Sequence, residues 1–390
     1  MVPLIHFNEE VTGARWDEDA KRWTVTSTSG EWNAQVVVMA NGSLSDPVIP
    51  SFPGLERFSG PTFHTARWDA TANLDGKRVA VVGTGASAIQ VIPAIQPRVK
   101  QLVVVQRTPA WVIPRHDRAV SDLRRALHRR FPITQRLVRL QQHLFHELLF
   151  YPFRHRVARS IVEKLLARHL KHQVRDPALR RALAPTYAIG CKRLLLSDDY
   201  YLAMTQPNVS LVSSAVERVT PRGVVTVDGS EHEVDVIILA TGFRVTDPIL
   251  APVVIGRDGR SLAESWQGSP TAYMGTTVAG FPNLFMLGGP NTGLGHSSVI
   301  MMFEAQCGHV ADVLAQLDAR GARAVEPTAE AQARYVAWMD ESLASTVWSS
   351  GCSSWYLDRT GRNSTLWPFG VGLFRRTLAR VREGDYAFVR

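Results

Sequence analysis

A glycine-rich segment in the first third of the chain carries the residues best suited to binding phosphate. Gly83 and Gly85 follow an apolar run at residues 79–82, and Ala88 completes a Gly-x-Gly-x-x-Ala pattern ahead of a helical stretch. Glycines permit a tight turn and let backbone N–H groups approach a pyrophosphate, which a helix N-terminus also attracts. A glycine turn in another kind of α/β protein is the alternative. We predict a dinucleotide site formed by Gly83, Thr84, Gly85, Ala86, Ser87 and Ala88.

The next predicted strand, residues 103–105, leads to the residues that would select the nucleotide. A site for NAD places Asp or Glu near this strand end, where the carboxylate binds the ribose 2′-hydroxyl. This chain instead has Arg107 followed by Thr108. A guanidinium binds a 2′-phosphate through charge-assisted hydrogen bonds, so the sequence predicts NADPH with Arg107 and Thr108 as contacts. The alternative is that Arg107 is only a solvated charge at a strand end.

Composition and charge restrict the class of protein. The chain has 390 residues, of which 45% are hydrophobic and 20% charged, as in globular proteins. Its net charge of +9 could attract nucleic acid, anionic lipid or an anionic cofactor, but no nucleic-acid-binding motif is present. Three widely spaced cysteines, Cys191, Cys307 and Cys352, are typical of reduced thiols rather than a disulfide framework or metal site. We therefore expect a cytoplasmic protein that binds no metal and no nucleic acid.

The region from about residue 111 to 185 is helical and basic. Arginines at 124, 125, 129 and 130 lie among apolar residues that recur at helical spacing. A basic amphipathic helix can lie on a membrane surface. We favour the alternative, a helical insertion packed on the sheet with a solvated basic face, and expect no membrane association. The apolar residues are Leu123, Leu127, Phe131, Leu137, Leu140, Leu144 and Leu148.

A second motif lies just before the glycine loop and suggests a family. Its spacing, Phe-x-Gly-x-x-x-His-x-x-x-Trp-Asp, resembles the fingerprint of Baeyer–Villiger monooxygenases, which belong to the wider class of flavin-containing monooxygenases. Without that resemblance, the two aromatic residues would be core residues and the histidine a loop residue. The resemblance implies a structural role for the histidine in a linker between domains rather than a role as a base. The motif residues are Phe58, Gly60, His64, Trp68 and Asp69.

The resemblance extends to a Lys-Arg pair that precedes a Tyr-Tyr helix. It implies that Arg193 is the catalytic arginine beside the flavin and that Lys192 contacts NADPH. A fixed guanidinium there would stabilise the negative charge that develops during oxygen transfer. The alternative is that both residues are surface charges at the start of a helix.

Further resemblance marks the flavin side. A buried strand at residues 233–239 ends in Ala-Thr-Gly, and a strand at 283–287 ends in a glycine turn before a helix at 299–317. In the family this helix start faces the isoalloxazine ring, where its dipole stabilises negative charge. Helix capping alone would also explain the serines. The tail, residues 352–368, carries aromatic residues that could line the substrate side or pack in the core. The implied flavin contacts are Thr241, Gly242, Asn291, Ser297 and Ser298.

The pattern as a whole predicts an α/β fold with two dinucleotide-binding, Rossmann-like domains, the first incomplete. We divide the chain into residues 1–50, a remnant of the FAD-binding domain, residues 51–243, the NADP-binding domain with the helical insertion, and residues 244–390, which return to the FAD-binding domain and substrate side. No glycine fingerprint precedes Gly83. We therefore expect an N-terminally truncated member that lacks the FAD-binding βαβ unit, and we expect this loss to impair FAD binding and oxygenase activity.

The resemblance implies an FAD- and NADPH-dependent enzyme that converts a small hydrophobic ketone and O₂ to an ester or lactone through an oxygen adduct at flavin C4a. Oxidation of nitrogen or sulfur is the first alternative. The second is a fragment that binds NADP(H) without turnover. The sequence predicts neither the particular substrate nor the oligomeric state.

Overall fold

The computed structural model describes residues 4–351 and 354–390. Cys352 and Ser353, which open the predicted aromatic tail, lie outside the described residues. The chain forms two compact units. Unit 1 contains the residues up to Asp46 together with Gln141–Arg154 and Arg244–Arg390. Unit 2 contains Pro47–Leu140 and His155–Phe243.

The β-structure consists of short strands joined mainly by turns and single helices. In chain order the strands are β1 (Val11–Asp17), β2 (Arg22–Ser27), β3 (Glu31–Ala34), β4 (Val37–Met39), β5 (Thr62–His64), β6 (Arg78–Val82), β7 (Gln101–Val105), β8 (Val112–Ile113), β9 (Leu195–Leu196), β10 (Val209–Val212), β11 (Val216–Thr220), β12 (Gly223–Thr226), β13 (Glu231–Glu233), β14 (Val236–Leu239), β15 (Val254–Ile255), β16 (Leu284–Met286), β17 (Ala324–Pro327) and β18 (Tyr386–Val389).

The helices begin at capping residues where the sequence supplies them, as at Asp176 and Thr328, whose side chains accept backbone N–H groups. They are α1 (Ala88–Ile95), α2 (Asp122–Arg130), α3 (Pro132–Leu148), α4 (Tyr151–Arg154), α5 (Arg156–Gln173), α6 (Pro177–Leu183), α7 (Tyr200–Met204), α8 (Leu262–Trp266), α9 (Val299–Ala319), α10 (Ala329–Ala344) and α11 (Val371–Leu378), with short 3₁₀ turns at Leu55–Arg57, Arg257–Gly259 and Val347–Ser349.

Unit 2 is built on a five-stranded parallel sheet in the order β10-β7-β6-β14-β5. Val79, Ala80 and Val81 of β6 are fully buried, as expected for a parallel strand covered on both faces. The predicted strands at 79–82 and 103–105 are therefore confirmed. Because β6 and β14 are parallel neighbours, their carboxyl ends meet at one edge of the sheet, where the glycine loop begins.

Unit 1 contains a four-stranded sheet in the order β15-β1-β2-β3 and the parallel pair β16–β4. Trp23 of β2 is fully buried, and its indole N–H donates to the carbonyl of Pro282 at 2.8 Å. Helix α9 packs against α11 in a second hydrophobic core that includes Val313 and Phe374. The predicted helix at 299–317 is confirmed and extends to Ala319.

The helical insertion differs from the prediction in how its apolar residues are placed. Its helices form as expected, but no residue of α2 or α3 is buried. Leu123, Leu137 and Leu148 are all more than half exposed. The expected packing of these helices on the sheet is therefore wrong. Helical periodicity in the sequence identifies the apolar side of a helix. It does not show whether another helix or a sheet packs against that side in the folded protein.

Two further observations concern the cysteines and the membrane. Cys191 is disulfide-bonded, whereas Cys307 is an exposed free thiol, so the prediction of three reduced thiols is wrong for Cys191. Within residues 4–351 and 354–390, no helix combines the length and apolar character needed to cross a membrane.

Candidate functional site

The glycine loop of unit 2 requires glycine at its first position. Gly83 has a φ of 110°, and its N–H donates to the carbonyl of Val105 at 3.0 Å. A Cβ atom on Gly83 would lie 2.5 Å from the carbonyl oxygen of Ala240, at the end of the neighbouring strand β14. Both the backbone conformation and the close approach therefore exclude a side chain.

The same loop presents an open group of hydrogen-bond donors. A Cβ on Gly85 would meet no atom within 4 Å. Among the described residues, none provides a hydrogen-bond acceptor for the backbone N–H groups of Thr84, Gly85, Ala86 or Ser87. Ala88 is fully buried and begins α1, as the pattern predicts. Free N–H groups before a helix are the arrangement that binds an anionic phosphate.

One cation, Arg107, lies beside this loop, and a second, Lys192, lies near Arg107. Arg107 lies just beyond β7 and is exposed. The next residue, Thr108, accepts a hydrogen bond at its carbonyl from the hydroxyl of Thr84 at 3.1 Å. Lys192 is half-buried, with its Nζ 5.1 Å from the ring centre of Tyr187. Burial lowers the pKa of Lys192, and the positive charge of Arg107 lowers it further. The two predicted cofactor-binding cations are therefore close enough to repel each other, and an anion between them would relieve that repulsion.

Arg193 follows Lys192 and is exposed. In the part of the chain that the structure describes, no carboxylate forms an ion pair with its guanidinium. Its five N–H donors are therefore available to an external group. The catalytic role of Arg193 stays a prediction.

The residues of the fingerprint occupy structural positions in unit 2. A Cβ on Gly60 would lie 2.1 Å from the carbonyl oxygen of Asp235, so this glycine permits the approach of two chain segments. His64, in β5, is buried, and its Nδ1 accepts the N–H of Ala66 at 3.0 Å. Its Nε2 makes no hydrogen bond of good geometry with the described residues. Burial lowers the pKa of His64, an effect partly offset by the backbone of Gly242. A neutral, buried imidazole fits the structural role that the resemblance implies.

The other fingerprint residues are less buried. Phe58 packs partly against the core, whereas Trp68 is 43% exposed and contacts the edge of Phe63 with ring centres 5.0 Å apart. The alternative interpretation of Trp68 as a core residue is therefore wrong. Asp69 accepts the backbone N–H of Thr71 at 2.9 Å and so stabilises a local turn.

Thr241 and Gly242 follow β14. The hydroxyl of Thr241 donates to the carbonyl of Val48 at 2.6 Å, and the N–H of Val48 donates to the carbonyl of Gly242 at 2.9 Å. These bonds align two chain segments at the carboxyl edge of the sheet. Their contact with a flavin stays a prediction.

Unit 1 contains a cavity of about 140 Å³ at the carboxyl ends of the parallel strands β4 and β16. Glycines shape its wall. Gly288 has a φ of 74°, and a Cβ on Gly289 would lie 2.5 Å from the carbonyl oxygen of Gly275. The cavity is lined by Met39, Asn41, Gly42, Ser43, Val245, Thr246, Pro248, Trp266, Pro270, Met286, Leu287, Gly288, Gly289, Pro290, Thr292, Gly293, Val299, Phe303, Ser364 and Thr365.

Helix α9 begins beside this cavity. Ser298 stands at its N-cap position, but its hydroxyl makes no capping bond. The N–H groups of Val299 and Ile300 also have no acceptor among residues 4–351 and 354–390. The half-buried Ser297 precedes this helix start. Unpaired donors at a helix N-terminus favour negative charge in front of them.

Asn291 holds the turn before α9 in place. It is buried with a φ of 56°, and its amide NH₂ donates to the carbonyls of Asn363 and Leu366 at 2.9 and 3.1 Å. Its Oδ1 accepts from Arg362 at 3.1 Å. The side-chain amide is therefore used internally. The contact of Asn291 with a cofactor stays a prediction. It would have to use atoms of Asn291 other than those that make these side-chain hydrogen bonds.

Sequence reasoning missed a buried histidine that lies close to a half-buried glutamate beside this helix start. His296 is buried with its Nε2 3.6 Å from a carboxylate oxygen of Glu147, which also accepts the N–H of Val371 at 3.1 Å. The ring of Phe150 lies 4.9 Å from the imidazole. Burial lowers the pKa of His296 to about 4, against the opposing influence of Glu147. In the sequence, the one signal that could have pointed to His296 as a site residue was its position directly before Ser297 and Ser298.

Together, a parallel sheet with an open glycine loop and a separate, glycine-lined cavity define an α/β protein with two candidate ligand sites. Residues 5–262 match the family model of flavin-binding monooxygenase-like proteins. A Baeyer–Villiger monooxygenase of Streptomyces coelicolor is 47% identical over 391 residues, covering 100% of this chain and 75% of that protein. A Baeyer–Villiger monooxygenase of Pseudomonas aeruginosa is 46% identical over 383 residues, covering 97% of this chain and 72% of that protein.

A solved structure of cyclohexanone monooxygenase from Rhodococcus sp. Phi1 bound to NADP⁺ superposes with a TM-score of 0.88 at 30% identity, covering 98% of this chain and 80% of that one. The chain therefore belongs to the flavin-binding monooxygenase-like family. The predicted family, the α/β fold class with Rossmann-type domains, and the assignment as an enzyme are confirmed.

Proposed function

We propose that the chain is an NADPH-dependent flavoprotein monooxygenase that oxidises ketones to esters or lactones in the Baeyer–Villiger manner. The observation that carries this proposal is the open glycine loop with Arg107 beside it and Lys192 near Arg107, because these groups fit a phosphorylated dinucleotide. The resemblance to proteins named Baeyer–Villiger monooxygenases, with the fingerprint around His64, supports the reaction type.

The residues present fit NADPH. The free N–H groups of Thr84 to Ser87 can bind the pyrophosphate. The space beside Gly85 is open because glycine has no Cβ, and a phosphate can occupy it. Arg107 can bind the 2′-phosphate through two N–H groups, and Lys192 adds a second positive charge. The pKa of Lys192 is lowered, and no carboxylate among the described residues pairs with its amine, so a bound phosphate would raise that pKa again.

The cavity of unit 1 fits the ring of a flavin. Its walls are mainly apolar or glycine backbone, and Phe303 of α9 offers an aromatic surface. When bound, FAD supplies electron transfer and oxygen activation, which no protein side chain can provide. The unpaired donors at the start of α9 would stabilise negative charge on the reduced ring. The apolar lining would exclude water from it.

Arg193 completes the proposal as the catalytic arginine. Its guanidinium has no internal ion pair among the described residues and can stabilise the negative charge that develops on the substrate oxygen. The substrate class is a small hydrophobic ketone, because the fingerprint around His64 resembles that of Baeyer–Villiger monooxygenases and the solved relative is named cyclohexanone monooxygenase.

The reaction can be tested directly with ¹⁸O₂. The protein, supplied with FAD and NADPH, is incubated with cyclohexanone or with an aryl methyl sulfide, and products are identified by mass spectrometry. We expect a lactone that contains one ¹⁸O atom. Sulfoxide without lactone would favour the alternative of sulfur oxidation. NADPH binding without any oxygenated product would favour the alternative of a nucleotide-binding fragment. The variant Gly85→Ala provides the control for NADPH-dependent turnover.

A further inference from the structure

The helical insertion exposes an apolar surface that the proposed reaction does not use. Besides Phe145, which is 58% exposed, five apolar side chains of α3 are between 51% and 72% exposed. At 100° per residue they fall within an arc of roughly 80°, so they form one narrow line along the helix. We call this line the α3 stripe, and it consists of Ile133, Leu137, Leu140, Leu144 and Leu148.

The neighbouring helices repeat the pattern. Leu123 and Leu127 of α2 and the following Phe131 are spaced four residues apart and are 82%, 45% and 52% exposed. Val157 and Ile161 of α5, with Leu165 one turn later, are also more than half exposed. Scattered apolar residues on a surface need no explanation, but continuous exposed apolar lines on successive helices mark an interaction site.

The corner between α2 and α3 is fixed by the protein itself. Nδ1 of His128 lies 2.8 Å from the hydroxyl of Thr134, which also donates to the carbonyl of Phe131 at 2.7 Å. At the far end of α3, the carboxylate of Glu147 accepts the N–H of Val371. The start of α3 is therefore hydrogen-bonded to α2, and its end is hydrogen-bonded to the start of α11.

The charge around the stripe identifies its partner. Residues 122–148 contain six arginines and two acidic residues. The arginines of α2 and Arg136 of α3 are exposed. Two copies of this surface placed face to face would bring like charges together, whereas anionic lipid headgroups would neutralise them. Leucines inserted below the headgroups with arginines beside them are the pattern of a helix lying in a membrane interface.

We propose that α2 and α3 bind the surface of a membrane rich in anionic lipid, with the α3 stripe inserted at the headgroup boundary. This assignment reverses the sequence-based preference for an insertion packed on the sheet, because the structure leaves the stripe uncovered. It concerns attachment to one face of a bilayer and requires no helix that crosses it. It is independent of the proposed reaction.

The test is cosedimentation of the full chain with lipid vesicles. One set contains phosphatidylcholine alone, and the other contains about 30% phosphatidylglycerol. We expect binding to the anionic vesicles at least tenfold stronger than to the neutral ones, and weaker binding at high salt. The triple variant Leu137→Gln/Leu140→Gln/Leu144→Gln should bind at least tenfold more weakly than the wild type. Because these side chains are exposed, its melting temperature should stay close to that of the wild type.

Two comparison variants separate the contributions. Leu202→Gln/Val227→Gln changes exposed apolar residues outside the insertion and should leave vesicle binding unchanged. Arg124→Glu/Arg129→Glu should remove the preference for anionic vesicles. Wild-type protein that remains in solution with anionic vesicles would overturn the proposal, as would wild-type-like binding by the triple variant. A concentration-dependent dimer abolished by the triple variant would assign the surface to a second copy instead.

Discussion

Two glycines of the same loop should respond in opposite ways to an added methyl group. At position 83, alanine would have to adopt a φ of 110°, and its Cβ would lie 2.5 Å from the carbonyl oxygen of Ala240. At Gly85 the backbone is outside the left-handed region, and the Cβ meets no atom within 4 Å. We therefore expect Gly83→Ala to impair folding and Gly85→Ala to impair NADPH binding.

The magnitudes follow from these contacts. An unfavourable backbone conformation costs roughly 1–3 kcal/mol, and overpacking costs a similar amount. Gly83→Ala should therefore lose about 2–5 kcal/mol of unfolding free energy, or roughly 5–15 °C in melting temperature. Gly85→Ala should change the unfolding free energy by less than about 1 kcal/mol, and in the stabilising direction, because alanine restricts the unfolded chain. Its methyl group would occupy the space where a pyrophosphate approaches, so NADPH binding should weaken at least tenfold, or about 1.4 kcal/mol.

Melting temperatures can be measured by calorimetry and NADPH affinity by titration calorimetry on the same preparations. Gly76→Ala provides a matched control, because Gly76 also has a positive φ but its Cβ would meet no neighbour. It should lose only the backbone contribution, about 1–2 kcal/mol, and keep its NADPH affinity. Wild-type NADPH affinity in a well-folded Gly85→Ala protein would refute the assignment of this loop to the cofactor.

Three further predictions concern charged groups. Arg107→Ala should weaken NADPH binding by about tenfold or more while NADH binding barely changes, and equal losses for both cofactors would show that Arg107 does not bind the 2′-phosphate. In flavin-loaded protein, Arg193→Ala should still oxidise NADPH but should release hydrogen peroxide instead of lactone, as measured by a peroxide assay beside product analysis. The pKa of His296 is about 4 in the folded protein and about 6.5 in the unfolded chain, so on acidification the unfolded chain takes up the proton first. The free energy of unfolding should therefore fall by about 3 kcal/mol as the pH decreases from 6.5 to 4. Urea unfolding of the wild type and of His296→Phe across this range tests it, since the variant should lose that part of the pH dependence.

The sequence predicted the sheet of unit 2 well because its information is local. Residues 79–82 form a continuous apolar run, and Gly83 after them is required by the backbone of the turn. The pair Glu147 and His296 could not be predicted, because the two residues are 149 positions apart and only the folded chain brings them together. The same applies to the α3 stripe. Helical periodicity predicted which side of α3 is apolar, but whether another element covers that side depends on tertiary packing.

The predicted role of the serines before α9 shows how local and functional requirements differ. A serine at an N-cap normally accepts a backbone N–H, as Thr328 does from Ala331 at 3.1 Å at the start of α10. Ser298 occupies the same kind of position but makes no such bond, and the next donors along α9 have no acceptor among the described residues. Leaving these groups unpaired costs stability unless water or a ligand satisfies them. The glycine loop shows the same feature in unit 2. Both proposed nucleotide sites thus include backbone donors that no described residue satisfies, and these donors can bind negative charge in addition to any basic side chain nearby.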